Sequence, residues 1–294
     1  MTANRIAIYG KGGIGKSTIA TNLSILFAQQ GQKVLHVGCD PKRDSSLKLM
    51  DGKAAASVLE ALAAEGAKVA AEHIVAVGRH GVEVIESGGP EPGVGCAGRG
   101  VSLMIERIDE LEVIESRGYD VVVYDVLGDV VCGGFAAPLR QGAGRQVYIV
   151  TSEEPMSLFA ANNIAKAVIR FQRNGVSLGG LIANIRDPGD YRTPMAAFAE
   201  RLGTTILAYI ERDPLVRKAE YRFRTVVEDY PSSPIAGALR DLSAEIERRW
   251  TAKPASPPTP LQDSEFVTFI REHFAEPSPD EPAEALDKDA SRVL

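Results

Sequence analysis

One eight-residue stretch, Gly10-Lys11-Gly12-Gly13-Ile14-Gly15-Lys16-Ser17, constrains the fold of this 294-residue chain more than any other. It has the spacing G-x-x-x-x-G-K-(S/T), follows the apolar run Arg5–Tyr9 and opens a helical pattern at Ser17–Gln29. A strand that turns through glycines into a helix aims backbone N–H groups into one concavity, and the helix dipole makes that concavity favourable for anions. The stretch therefore predicts a phosphate-binding loop. Lys16 is placed for the β- and γ-phosphates and Ser17 for Mg²⁺, while Gly10, Gly12, Gly13, Ile14, Gly15 and Thr18 supply the surrounding backbone.

The rest of the chain repeats the same alternation of short apolar runs and longer helical patterns. Strands are expected at Lys33–Gly38, Val82–Glu86, Asp120–Tyr124, Gln146–Val150, Gly180–Ala183 and Thr205–Tyr209. Helices are expected at Leu103–Ser116, Ser157–Asn174, Pro194–Leu202 and Ile235–Trp250. Runs such as Val121-Val122-Val123 are apolar on both faces, so the expected fold is α/β, a mostly parallel sheet covered by helices on both sides.

Composition sets limits on function. With 45% hydrophobic and 24% charged residues the chain can bury a full core, and no run of eighteen apolar residues suits a membrane. The N-terminus lacks a leader's long apolar stretch, so a cytoplasmic location is expected. Thirty-nine acids against 33 bases give −6, leaving no basic footprint for nucleic acid or anionic lipid. Much of that charge falls in 251–294, which holds seven of the 17 prolines and nine acids against four bases. Two domains follow: a body over 1–250, and an acidic arm over 251–294. Phe266, Phe269, Ile270 and Phe274 mark a short amphipathic helix at about 264–274, ahead of an unstructured end.

Candidate site residues gather at expected strand ends, where parallel sheets bind ligands. Asp125 closes the run 121–125, and Asp40 and Asp44 flank Lys42 after the run 33–38. Asp125 suits Mg²⁺ and its waters, Gly128 follows it where a γ-phosphate can be sensed, and Asp129 is assigned to positioning an attacking water. Three cysteines are one short of the four thiolates that a cluster or zinc site commonly takes. Cys96 and Cys132 both lie among glycines but are 36 positions apart with no C-x-x-C, so spacing alone leaves structural thiols and metal ligands equally open. Cys39 reads as a buried structural thiol. His36, His73, His80 and His273 form no ligand spacing and read as ordinary core or surface.

Lys11, an extra lysine early in the loop, resembles the deviant phosphate loops of the dimeric ATPases that include Min, Par, Mrp and nitrogenase iron proteins. Longer strings narrow the likeness: Gly-Cys-Asp-Pro-Lys at 38–42, the whole of 86–100, 124–135, and Ala160-Ala161-Asn162-Asn163-Ile164. Over roughly residues 5–230 the chain resembles the nitrogenase iron-protein family. That resemblance implies a P-loop NTPase fold and a homodimer in which Lys11 reaches the nucleotide of the opposing subunit. Cys96 and Cys132 from each of two identical subunits would hold one 4Fe–4S cluster. It implies MgATP and MgADP as ligands, Asp40 and Lys42 as catalytic residues with Lys11, Lys16 and Asp129, Asp44 as a switch acid on the nucleotide, Asn184 and Asp213 at the adenine, and Arg99 near the partner or as an ADP-ribose acceptor. The implied partners are an identical subunit, a catalytic nitrogenase-like component, and ferredoxin or flavodoxin as electron donor.

The match has departures. Glu154-Pro155-Met156 replaces the usual Glu-Met-Met, Ile210-Glu211-Arg212-Asp213 replaces Val-Pro-Arg-Asp, and Arg43 stands where nitrogenase proteins usually have Ala. These leave nucleotide and cluster expected, and open the terminal substrate to methylthio-alkane reductase or tetrapyrrole reductase chemistry. A Min/Par-type positioning ATPase would leave Cys96 and Cys132 without a purpose. An Mrp-type cluster carrier would typically use the C-x-x-C that is absent.

Overall fold

The computed structural model describes residues 3–89, 97–128, 136–187, 189–252 and 256–274. The chain divides into two compact units, 1–260 and 261–294. Residues 256–260 belong with the first unit rather than with an arm beginning at 251. Thr259 ties them down, its N–H donating to Leu202 O at 2.9 Å and its hydroxyl to Arg201 O at 2.7 Å.

Eight strands make one sheet: β1 (Asn4–Tyr9), β2 (Val34–Cys39), β3 (Ala76–Val77), β4 (Glu83–Glu86), β5 (Val121–Val126), β6 (Gln146–Thr151), β7 (Ser177–Ile185) and β8 (Ile206–Glu211). Their order is β3-β4-β2-β5-β1-β6-β7-β8, and all neighbours are parallel except β3 and β4. Side chains alternate across a strand, and here both sets are buried. Ile6, Ile8, Val121, Val123 and Val150 join Leu23, Phe27, Leu239 and Leu242 in one core. The intervening Ala7, Tyr9, Val122, Tyr124 and Ile149 are fully buried as well, so helices cover both faces.

The helices of the first unit are α1 (Lys16–Gln29), α2 (Val58–Glu65), α3 (Ala71–Ile74), α4 (Ala97–Glu110), α5 (Val113–Arg117), α6 (Ala137–Arg140), α7 (Pro155–Phe171), α8 (Arg192–Arg201), α9 (Pro214–Glu220), α10 (Val226–Asp229) and α11 (Pro234–Trp250). α1 packs with α10 and α11, whereas α4 packs with α2, α5 and α6. The single helix expected over 103–116 is instead α4 and α5, broken where Glu112 takes φ 49°. Buried Met104, Ile105 and Ile108 mark a stripe whose next helical positions would be 111, 112 and 115. Val113 and Ile114 lie off that stripe, and the break turns both inward. Pro155 occupies the first turn of α7, which therefore begins before Ser157. Ser233 caps α11 through Ala236 N at 3.3 Å, with Pro234 at its first position.

The second unit contains α12 (Asp263–Phe274). Asp263 and Glu265 sit in its first turn and Arg271 and His273 in its last, signs that suit the helix dipole. The His273 ring stacks on Phe269 at 4.1 Å. The expectation for the end of the chain falls on 275–294, outside the described residues.

The parallel order places the carboxyl ends of β1, β2, β5, β6, β7 and β8 on one edge. The phosphate-loop sequence leaves the sheet there from β1, flanked by β5 and β6.

Candidate functional site

The loop after β1 is wound through Gly10, Gly13 and Gly15, whose φ angles of 147°, 71° and 103° lie where side chains are strained. Gly15 leads into α1, whose first turn has neither a side-chain cap nor an acid. Its N–H groups are thus left for an anion. Lys16 is buried and its Nζ donates to Lys11 O at 3.0 Å, across the mouth of the loop. The Thr18 hydroxyl donates to Glu220 Oε1 at 2.8 Å, and Lys48 Nζ reaches the same oxygen at 2.8 Å. Burial raises the Glu220 carboxyl, but the charge and hydrogen bond of Lys48 together with the Thr18 hydrogen bond outweigh it and hold Glu220 below its ordinary value.

Beside the loop is a cavity of about 650 Å³, lined by Gly13, Gly15, Thr18, Asn184, Arg212 and Asp213 among others. That volume is within the range of small-molecule sites. Asn184 Nδ2 donates to Ile14 O at 2.6 Å, and Asp213 caps α9 through Leu215 N at 2.8 Å. Gly13, Ile14, Gly15, Thr18, Asn184 and Asp213 are therefore brought together on one cavity. Glu153, which the sequence did not single out, is 5% exposed and accepts the N–H groups of Arg186 (3.1 Å) and Asp187 (2.9 Å). Arg186 donates in turn to Gly13 O at 2.5 Å. Lys11 Nζ lies 3.5 Å from Glu154 Oε2, a half-exposed pair that leaves the lysine tip at the surface.

Asp40, Lys42 and Asp44 follow β2 on the same edge. Asp40 Oδ1 accepts Lys42 N at 2.9 Å. Burial, with Asp44 and Asp125 nearby, holds the Asp40 carboxyl above its ordinary value against the lowering effect of that bond. Arg43 takes φ 57°, and its guanidinium meets Glu60 Oε1 at 2.5 Å. Asp44 is exposed.

Asp125, 4% exposed near the end of β5, accepts the Ser45 hydroxyl at 2.5 Å. Ser45 Oγ is 2.8 Å from His36 Nε2, and His36 Nδ1 is 3.0 Å from Ser24 Oγ. Burial lowers the His36 pKa to about 4, against the raising effect of Asp125, so the ring is neutral at pH 7. A Ser45 hydroxyl that donates to Asp125 must accept from Nε2–H, which leaves Nδ1 an acceptor facing Ser24 Oγ, whose hydroxyl also reaches Ala20 O at 2.9 Å. His36 is thus no ordinary core histidine: it fixes the hydroxyl that holds Asp125.

Cys96, Asp129 and Cys132 lie outside the described residues. Among the described residues no group of three or more His, Cys, Asp and Glu comes together to hold a metal ion. Cys39 is fully buried, and burial pushes its thiol well above its ordinary value. The described flanks of Cys96 run close to the nucleotide segment. A Cβ on Gly89 would stand 2.2 Å from Pro41 Cβ, so only glycine lets these two backbones touch. Arg99 is exposed in the first turn of α4, and Gly128, with φ 55°, follows β5.

Residues 4–275 match the family of 4Fe-4S iron sulfur cluster binding proteins, NifH/frxC family. The chain belongs to this family. A nitrogenase iron protein of Methanospirillum hungatei JF-1 is 44% identical over 274 residues, covering 92% of this chain and 96% of that one. Among solved structures, the cell division ATPase MinD of Pyrococcus furiosus overlays with a TM-score of 0.66 at 24% identity, covering 83% of this chain and 99% of its own. MinD of Pyrococcus horikoshii OT3, complexed with Mg-ADP, overlays at 0.68 with 23% identity, covering 85% and 98%. Both likenesses establish the P-loop ATPase fold; membership of the NifH/frxC family brings the 4Fe–4S cluster and MgATP as cofactors.

Proposed function

We propose that this chain is the ATP-dependent reductase component of a nitrogenase-like system, a homodimer that delivers single electrons to a separate catalytic partner. The observation that carries this reading is the meeting of two segments on one sheet edge. Pro41, in the segment after β2 that would answer to nucleotide, packs on Gly89, seven residues before Cys96. Asp125 likewise stands seven residues before Cys132.

In this reading the first-turn N–H groups of α1 and the Lys16 ammonium neutralise the phosphates, and Ser17 ligates Mg²⁺ with Asp125 holding its waters. Asp129 orients the water whose oxygen bonds to the γ-phosphorus as the bond to the β-phosphate oxygen breaks. Lys11 reaches the nucleotide of the second copy, and Asn184 and Asp213 flank the adenine. Cys96 and Cys132 of two copies would supply the four thiolates of the cluster, whose chemistry would be one-electron transfer. Ferredoxin or flavodoxin is the class of donor that would refill it. Domain roles follow: the chemistry is assigned to the ATPase body and none of it to the acidic arm.

Anaerobically purified protein should be brown, with about four irons per dimer by the ligand count. Cys96→Ser and Cys132→Ser should lose iron and Cys39→Ser should keep it, while Lys16→Ala should abolish ATP-driven electron transfer. A dimer that stays colourless after iron–sulfur reconstitution sinks the reading.

A second reading keeps the chemistry and changes the partner to methylthio-alkane reductase or a tetrapyrrole reductase. Arg43, drawn onto Glu60 in the segment after β2, is the observation in its favour. Electron delivery to purified catalytic components of each kind separates the two.

A further inference from the structure

Gly38 sits between two carboxylates. In the register of the sheet it pairs with Asp125 of β5 on one side and Glu86 of β4 on the other. Two consecutive residues of the segment after β2 hold these acids: the Ser45 hydroxyl donates to Asp125 at 2.5 Å, and the Ser46 N–H donates to Glu86 Oε1 at 2.7 Å. Asp125 leads along the chain to Cys132, and Glu86 leads to Cys96.

Glu86 has no assigned task, yet it is 0% exposed, and its Oε2 has no hydrogen-bond partner among the described residues. Its carboxyl fills the place that a Gly38 side chain would take, since a Cβ there would stand 2.0 Å from Oε2. Ser87 N donates to Gly38 O at 3.0 Å, fastening the start of the cysteine segment to β2. A buried acid is costly to keep unless it does something a neutral residue could not.

We propose that Glu86 is a positioning residue that couples the nucleotide segment to the Cys96 segment, so that a shift of Ser45 and Ser46 reaches both cysteine segments at once, through Asp125 and through Glu86. The inference rests on the electron-carrier reading above. Burial raises the Glu86 carboxyl to about 7 against the lowering effect of the Ser46 bonds. Asp125 from β5 and Asp44 from the nucleotide segment contribute to that rise, and the thiol of Cys39 on β2 is a further titratable group beside it. The bond from Ser46 N–H is therefore charge-assisted above neutrality and weaker below it.

The test is the rate at which an iron chelator strips the reconstituted dimer, with and without MgATP, at pH 6 and pH 8. In the wild type the MgATP effect should be larger at pH 8. Glu86→Gln keeps an acceptor for Ser46 N–H and should show the same MgATP effect at both values. Glu86→Leu should retain its iron and its MgATP affinity within about twofold, with the MgATP effect cut at least fivefold. Gly38→Ala, which evicts the carboxyl while leaving Glu86 in the sequence, should reproduce that loss. A Glu86→Leu dimer that responds like the wild type overturns the inference, as does a wild type whose MgATP effect ignores pH. A wild type that takes up no iron overturns the electron-carrier reading, and the coupling with it.

Discussion

His36 and Ser45 are nine residues apart in sequence and meet only because β2 turns back on itself after Asp40. Neither residue type signals such a task, since a lone histidine in an apolar strand reads as core and serine in a loop reads as solvent-facing. Asp125 was legible because a strand-end acid stands out, although Glu86 at the end of β4 passed unmarked. The groups that hold these two acids were not legible, because their partners lie on other elements: Ser45 reaches Asp125 across 80 positions and Ser46 reaches Glu86 across 40. Removing the Ser45 hydroxyl leaves His36 Nε2–H without its acceptor and Asp125 without a donor. Ser45→Ala should cost about 1–3 kcal/mol in urea unfolding and depress MgATP hydrolysis, with Ser45→Thr recovering most of both. An alanine variant with unchanged unfolding would show that water replaces the hydroxyl.

At the scale of elements, most of the parallel sheet is readable from apolar runs, because a strand buried on both faces cannot hide its composition. The two-residue β3 is too short to leave a pattern, and α2, α3, α9 and α10 are short helices, of which α2, α9 and α10 start at Ser57, Asp213 and Thr225 caps. Ser57, for example, caps α2 with a reciprocal bond to Glu60. The break between α4 and α5 goes with the burial of Val113 and Ile114 rather than with any helix-breaking residue, as Glu112 is neither Gly nor Pro. α11 shows what a local signal is worth. Ser233→Ala removes its only side-chain cap and should lower stability by about 1 kcal/mol while leaving MgATP affinity unchanged. Urea midpoints and nucleotide titration report the two effects separately.

For the whole molecule, two buried groups that titrate between pH 4 and 7 act against each other. The folded state holds Glu86 at about 7 against an ordinary 4.5, so its contribution is full below pH 4.5 and is lost as pH rises through 7. His36 is held at about 4 against 6.5, so its contribution is full above pH 6.5 and is lost as pH falls through 4. Each amounts to roughly 3 kcal/mol, and between pH 4.5 and 6.5 the slopes oppose. Glu86→Gln should unmask the histidine: its unfolding free energy should climb with pH from 4 to 6.5 more steeply than that of the wild type. A variant profile parallel to the wild type would contradict the opposed pair.

The strand order also fixes a timetable. β1 is made first but is seated between β5 and β6, so its neighbours do not exist until the ribosome has passed Thr151. Gly10 presses on the Val150 carbonyl, where a Cβ would stand 2.2 Å away, and the loop cannot take its final form earlier. At typical synthesis rates that is a wait on the order of ten seconds, with Ile6 and Ile8 unburied. A nascent chain of this fold therefore leaves the tunnel with its nucleotide loop unformed, and gains its grip on ATP only after half of its length has been translated.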